Sequence, residues 1–270
     1  MIISINNMDL KQICNSGQCF RWNEIADNEY ELIAYDKYLK IKQNGNVFDL
    51  SCSIDSWDLI WRDYLDYSTD YEKIGNLIIE SEDNYLIDAY NNGKGIRILK
   101  QDLWEVIVSF IISQNNNIKR IRNSIEAICN KAGYYVYDEY GDKMDKKYRF
   151  PKAEELDDQF FDDTSLGLGY RNEYLKAIFN YARNNKDWLT KLREMSNTEA
   201  MDELRSHYGI GDKVASCICL FGLHQINSFP IDTHIRQILN NNYPNGFDYK
   251  RYSGFEGIVQ QYMFYYKINQ

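Results

Sequence analysis

The hydrophobic period of this chain changes once, near residue 100, and that change limits the fold more than any other feature. Before it, short runs at 29–33, 38–43 and 46–50 are separated by polar turns such as Asn44-Gly45, the pattern of half-buried strands. Residues 56–66 form a more helical stretch. Beyond the change, Val106, Phe110 and Ile111 recur at helical spacing behind Asp102, a residue able to cap a helix running to about Gln114. Further helices are expected over 118–131, ending near Gly133, and over 153–157, 171–184, 188–195, 198–207, 213–223, 233–240 and 255–266. The reading is an α+β protein. An N-terminal antiparallel β-sheet with a few helices occupies residues 1–98, and an all-helical bundle occupies residues 99–270.

Composition excludes several classes. With 270 residues, 44% of them apolar and only three prolines, the chain can bury a core and is neither a disordered tail nor a Pro-rich linker. No apolar run approaches the roughly 18 residues of a membrane helix; the best, 103–112, is interrupted by Glu105. Residues 1–10 lack the basic and long apolar regions of a signal peptide, so a cytoplasmic protein is expected. The six cysteines, at 14, 19, 52, 129, 217 and 219, include no CxxC pair. They are read as free thiols in a reducing compartment, with no metal site. The net charge of −9 is uneven: residues 1–90 hold 7 basic and 17 acidic side chains, whereas 91–124 hold 6 and 2. That argues against a protein that coats nucleic acid but leaves room for a local basic face.

Chemistry concentrates between residues 204 and 239. A helix runs into Tyr208-Gly209-Ile210-Gly211-Asp212 and a second leaves it. Two glycines two apart allow a tight hairpin and leave backbone N–H groups uncovered at a helix N-terminus, which suits a phosphate. Alone, this pattern reads equally as an ordinary αα-hairpin. Lys213 lies in the first turn of the second helix, where the dipole disfavours a cation, and an apolar run follows it. Such a lysine either snorkels to solvent or is held neutral and nucleophilic. Cys217, one turn on, shares its face and reads as a small buried hydrophobe that could line a pocket. Asp232, after Pro230-Ile231, is an N-cap whose carboxylate could also stabilise developing positive charge.

Gly209-Ile210-Gly211-Asp212-Lys213 followed by Pro230-Ile231-Asp232 resembles the helix–hairpin–helix–Gly/Pro–Asp superfamily of DNA glycosylases, and within it the 8-oxoguanine DNA glycosylase/AP lyase family. Four more stretches match in family order: Ser16-Gly17-Gln18-Cys19-Phe20-Arg21-Trp22, then residues 109–120 with Asn115-Asn116-Asn117, then Gly167-Leu168-Gly169-Tyr170-Arg171, and Gln260-Gln261-Tyr262-Met263-Phe264. The chain departs from the family in placing His207-Tyr208 where Leu-Pro is usual. It also lacks the four-cysteine cluster of endonuclease III-type relatives, so no iron–sulfur cluster, and no other cofactor, is expected.

The resemblance implies a partner, double-stranded DNA containing oxidised guanine, and a set of roles. The damaged base is flipped out of the duplex; the amine of Lys213 attacks C1′ and Asp232 stabilises the cationic sugar. The carbonyl of Gly17 accepts the N7 hydrogen that distinguishes the lesion, a contact worth roughly 1–3 kcal/mol when left unmade. Cys217 and Phe264 sandwich the base, and Gln260 meets its Watson–Crick edge, so that the last helix lines the pocket. Asn115 fills the gap, Tyr170 wedges into the stack, and Arg120 and Arg171 read the orphaned cytosine. Gly209, Gly211 and His234 are assigned to DNA phosphates. A monomer acting with the nucleoid of a bacterial or archaeal cell is expected. Two other readings stand beside this one: a monofunctional alkylated-base glycosylase, which would not need Lys213, and a non-catalytic DNA-binding module, which would need neither Lys213 nor Asp232.

Overall fold

The computed structural model of the protein describes every residue from Met1 to Gln270 except Asp158. The N-terminal part opens with β1 (Ile2–Ser4) and α1 (Leu10–Asn15), followed by β2 (Trp22–Ala26), β3 (Glu29–Ala34), β4 (Lys37–Asn44) and β5 (Val47–Leu50). These strands lie in the order β1-β5-β4-β3-β2, each pair antiparallel. The alternation is visible in β4, where Leu39 and Ile41 are buried between the exposed Lys40 and Lys42. Gly45, at φ +59, makes the β4–β5 turn, a conformation glycine adopts without steric cost. The inner face packs on Leu10 and Ile13 of α1 and on Trp57 and Trp61. Those two indoles belong to an irregular helical stretch of α2 (Ile54–Ser56), a π turn (Trp57–Trp61) and α3 (Arg62–Tyr64).

Two helices that the sequence reading allowed for but did not place follow, α4 (Tyr71–Ile79) and α5 (Asn84–Gly93), each capped by an aspartate, Asp70 and Asp83. Their apolar faces do not join the sheet. Tyr71, Ile74, Ile78, Leu86 and Ala89 belong to the helical core, and α5 packs along the last helix, α13 (Glu256–Ile268). The centre of that core is α6 (Leu103–Ile112), buried all round except at Glu105, and capped by Asp102 as expected. Asn117 caps α7 (Ile118–Ala132), which ends on Gly133 in the left-handed conformation.

The sheet also receives a hairpin from the later chain, β6 (Tyr135–Tyr137) and β7 (Lys143–Tyr148), through one parallel bridge between Lys37 and Tyr137. The segment expected as a helix over 153–157 is a single 3₁₀ turn, Ala153–Glu155. It begins just after Pro151 and ends in extended backbone at Leu156. The remaining helices are α8 (Arg171–Asn184), α9 (Trp188–Glu194), α10 (Asn197–Arg205), α11 (Asp212–Phe221) and α12 (Thr233–Asn242).

Two ionic junctions tie the N-terminal part to the later helices. Arg21, 1% exposed, donates from Nε to Glu126 on α7 at 2.9 Å and from Nη2 to the carbonyl of Tyr148 on β7. The other is Asp66, fully buried. Its carboxylate accepts from Thr69 and Tyr71 hydroxyls, each at 2.8 Å, and lies 3.3 Å from Nε2 of His224, in the loop after α11. Burial alone would push this carboxyl up, but the hydrogen bond and charge of His224, with those of the two hydroxyls, outweigh it and hold the pKa below its ordinary value. A depressed carboxylate adds stability above its unfolded pKa and loses it as pH falls toward the folded one. Asp66→Asn is therefore expected to lower Tm at neutral pH by about 4–8 °C, for a loss of about 2 kcal/mol. It should also flatten the acid limb of Tm against pH. Thermal melts of both proteins from about pH 7 to about pH 3 check this; parallel acid limbs would assign the loss to other carboxylates.

Candidate active site

The αα-hairpin of α10 and α11 is built around Gly209. Its φ is +86, and a Cβ there would overlap the ring of Tyr174, so the position excludes side chains. Gly211 is the N-cap of α11 in extended backbone, with no capping side chain and open space where its Cβ would lie. The first N–H groups of α11 are thus left without side-chain partners at the positive end of its dipole. His207 and Tyr208 give the hairpin an aromatic footing: His207 packs on Tyr181 and Trp188 at 4.4 and 5.0 Å, and Tyr208 meets Tyr174 edge-on at 4.9 Å.

In the first turn of α11, the Nζ of Lys213 lies 5.3 Å from the ring centroid of Phe110 on α6. Cys217 is buried beneath it. Burial pushes its thiol up, the Lys213 ammonium beside it pulls the other way, and Asp232 adds to the rise. Asp232 is the N-cap of α12, its Oδ1 accepting from the N–H of Ile235 at 2.8 Å. The bland role of Asp232 is therefore real, and the carboxylate still faces the same pocket as Lys213 and Cys217.

That pocket also receives Gly17, Gln260 and Phe264. Gly17 sits at φ +75 in the loop after α1, with the Phe264 ring lying against it: a Cβ there would be 3.3 Å from Cε1. Gln260, 4% exposed, donates from Nε2 to the carbonyl of Pro230 at 3.1 Å, which ties α13 to the turn before Asp232. The six residues expected at the lesion therefore converge from four separate parts of the chain. Phe110, Phe221, Ser16, Pro230 and Gln261 complete the lining; none of these had been singled out as a site residue. A phenylalanine in an apolar helix carries no signal beyond core packing, though Phe110 and Phe221 stack at 5.4 Å directly under the lysine. The cavity is about 50 Å³, room for a few waters and well short of a ligand-sized site.

A second cluster forms nearby. Asn115 has φ +46, and its Nδ2 is 3.4 Å from the hydroxyl of Tyr170, whose ring is half exposed. Arg120 is exposed on α7 and makes no side-chain hydrogen bond or ion pair among the described residues. Arg171 is placed differently. It is 8% exposed and donates from Nε to the carbonyl of Gln114 at 2.7 Å, from Nη1 to that of Leu168 at 3.1 Å and from Nη2 to those of Gln114 and Asn115. In this state the guanidinium faces backbone carbonyls. His234 is exposed at the start of α12, its ring 6.0 Å from Phe264. No group of three or more His, Cys, Asp or Glu among the described residues is arranged to hold a metal.

A family profile described as 8-oxoguanine DNA glycosylase, N-terminal domain, matches residues 1–107. The solved structure of MBOgg1 in complex with a low-affinity DNA ligand is 34% identical, covering 99% of this chain and 95% of that one, with a TM-score of 0.89. The Clostridium acetobutylicum 8-oxoguanine glycosylase/lyase, solved with double-stranded DNA containing cytosine opposite 8-oxoG, is 29% identical over 100% and 98% of the two chains, with a TM-score of 0.88. Among curated proteins, the N-glycosylase/DNA lyase of Saccharomyces cerevisiae is 33% identical over 162 residues, which span 56% of this chain and 42% of the yeast protein. The chain belongs to the 8-oxoguanine DNA glycosylase family. Among the described residues no helix is long and apolar enough to cross a membrane.

Proposed function

We propose that this chain removes 8-oxoguanine lying opposite cytosine in duplex DNA and then nicks the strand as a lyase, in base-excision repair. The observation that carries the reading is the meeting of Lys213, Asp232, Gly17, Cys217, Gln260 and Phe264 in one pocket. The amine of Lys213 attacks C1′ of the flipped nucleotide; the C1′–N9 bond breaks, and the base leaves with the electron pair and takes up a proton that the amine gives up. The C1′–O4′ bond then breaks, its electron pair and the remaining N–H proton passing to O4′, to give an imine that acidifies the C2′ hydrogen; loss of that hydrogen expels the 3′ phosphate. Asp232 stabilises the positive charge on the sugar as the bond breaks. Gly17 accepts the N7 hydrogen of the lesion, Cys217 and Phe264 stack on its faces, and Gln260 meets its Watson–Crick edge. The base is admitted when Phe264 swings off Gly17. Phosphates rest on Gly209, Gly211 and His234. Asn115 fills the gap, Tyr170 wedges, and Arg120 reads the partner base, joined by Arg171 if it releases its carbonyls. The lysine disfavours a monofunctional alkylated-base glycosylase, and the assembled pocket disfavours a mere DNA-binding module. Six unpaired cysteines fit a reducing compartment, consistent with a monomer acting beside the nucleoid in a bacterial or archaeal cytoplasm.

Cytosine left without its partner offers O2 and N3 as acceptors, and arginine only donates. Adenine would present an amino donor instead, and each mismatched contact costs roughly 1–3 kcal/mol. Single-turnover excision is therefore expected to be about 30-fold or more faster opposite cytosine than opposite adenine. Arg120→Ala should narrow the gap by slowing the cytosine duplex. Equal wild-type rates opposite all four bases would remove the base-reading role from Arg120 and Arg171; no release of 8-oxoguanine from any duplex would overturn the function itself.

A further inference from the structure

Between α6 and α7 the chain turns through Gln114 and Asn115, and Asn115 holds a left-handed φ of +46. A non-glycine residue stays in that region only where its surroundings hold it there. Arg171 does so from one side, by capturing the carbonyls of Gln114 and Asn115. On the other side, the Gln114 side chain reaches a residue 95 positions away: its Nε2 donates to the carbonyl of Gly209 at 2.9 Å. Gly209 rests on Tyr174, and Tyr174 is flanked edge-on by Tyr208 of the hairpin and by Tyr170 beside Asn115. The hairpin that carries Lys213 and the turn that carries Asn115 are thus joined by one side-chain hydrogen bond and one row of rings.

We infer that Gln114 is a positioning residue for base extrusion. It fixes the separation between the DNA-gripping hairpin and the turn that enters the gap, so that the strand is held at the hairpin while Asn115 occupies the vacated stack. The inference rests on the excision reading above. Gln114 touches neither the sugar nor the base; it acts through Gly209 and Asn115. Its carbonyl faces Arg171 and its amide faces the hairpin, so one residue orients both sides of the flipped nucleotide. A DNA backbone gripped at one point and filled at another is extruded efficiently only if the two points keep register, since displacements of about 1 Å at a reacting centre cost up to about a hundredfold in rate.

Gln114→Leu keeps the bulk and removes the donor. Single-turnover excision from a duplex with 8-oxoguanine opposite cytosine is expected to slow about tenfold, the equivalent of about 1.4 kcal/mol. Borohydride trapping on a ready-made abasic duplex has no base to extrude, and should stay within about threefold of wild type. Gln114→Glu sets a carboxylate against a carbonyl. Its deficit relative to wild type should shrink from about pH 7 to about pH 4.5, where a carboxyl with the ordinary glutamate pKa of about 4.3 is becoming protonated and regains a donor. Undiminished excision by Gln114→Leu, equal losses in the two Leu assays, or a pH-independent deficit in Gln114→Glu would each overturn the positioning role. The functional reading is judged separately, by whether the wild-type protein releases 8-oxoguanine at all.

Discussion

Lys213→Gln is expected to abolish covalent trapping. With borohydride and a duplex carrying 8-oxoguanine opposite cytosine, the wild-type protein should form a stable protein–DNA adduct and the variant none. The variant should still bind the duplex within a few-fold of wild type. The reasoning starts from position: Lys213 is in the first turn of α11, above the Phe110–Phe221 stack and beside Cys217. No other lysine lines this pocket. An amine is needed to form the imine that borohydride reduces, and glutamine keeps polarity and most of the length without one. The hairpin glycines proposed to meet the DNA backbone are untouched, so affinity should survive. Adduct formation by Lys213→Gln at the wild-type rate would place the nucleophile on another residue.

Asp232→Asn carries the second large effect. The side chain has two candidate tasks, and they separate cleanly. As N-cap of α12 it accepts one backbone hydrogen bond, from Ile235, which asparagine also accepts; among caps Asn and Asp are nearly equivalent. As the carboxylate facing Lys213 it offers a negative charge that asparagine lacks. Tm should therefore stay within about 2 °C of wild type, while single-turnover excision falls roughly 10²–10³-fold, the range for loss of one preorganised electrostatic contact. Trapping on a ready-made abasic duplex should fall less, because no base must depart. Tm and excision falling together would leave capping as the main task of Asp232.

Local signals made much of this legible. Asp102, Asn117, Asp232 and Gly133 end or begin helices where their side chains or backbone freedom say they should. The strands from 29 to 50 carry their own alternation. What stayed hidden depends on contacts distant in sequence. The hairpin Tyr135–Tyr148 is polar, with little alternation, and meets the sheet at one bridge to Lys37. Helices α4 and α5 lie in an acidic stretch read with the sheet, yet their buried faces join the helical core, with α5 packed along the last helix, α13. The candidate site divides the same way. Lys213 stands out because a cation at a helix start is locally unusual, whereas Asp232 reads locally as an ordinary N-cap and is singled out by the family resemblance. Phe110 looks like core until the fold sets Lys213 over it, and Gln114 looks like loop until Gly209 is brought beside it. Arg171 was recognised by its neighbours in sequence, but sequence carried no sign that its guanidinium would be saturated by carbonyls.

The closed state of the proposed lesion pocket, with Phe264 lying on Gly17 and about 50 Å³ left inside, bears on selectivity among solutes. Oxidised purine bases and nucleotides free in a cell must open the pocket from bulk solution, and their apparent affinity is reduced by the fraction of molecules that happen to be open. A base still attached to a gripped duplex faces the same closed pocket, but as a tethered guest at millimolar effective concentration. Closure thus works as a filter on molecularity. It discounts every free competitor, the released product included, by one common factor, and leaves the DNA-borne lesion as the guest that overcomes it.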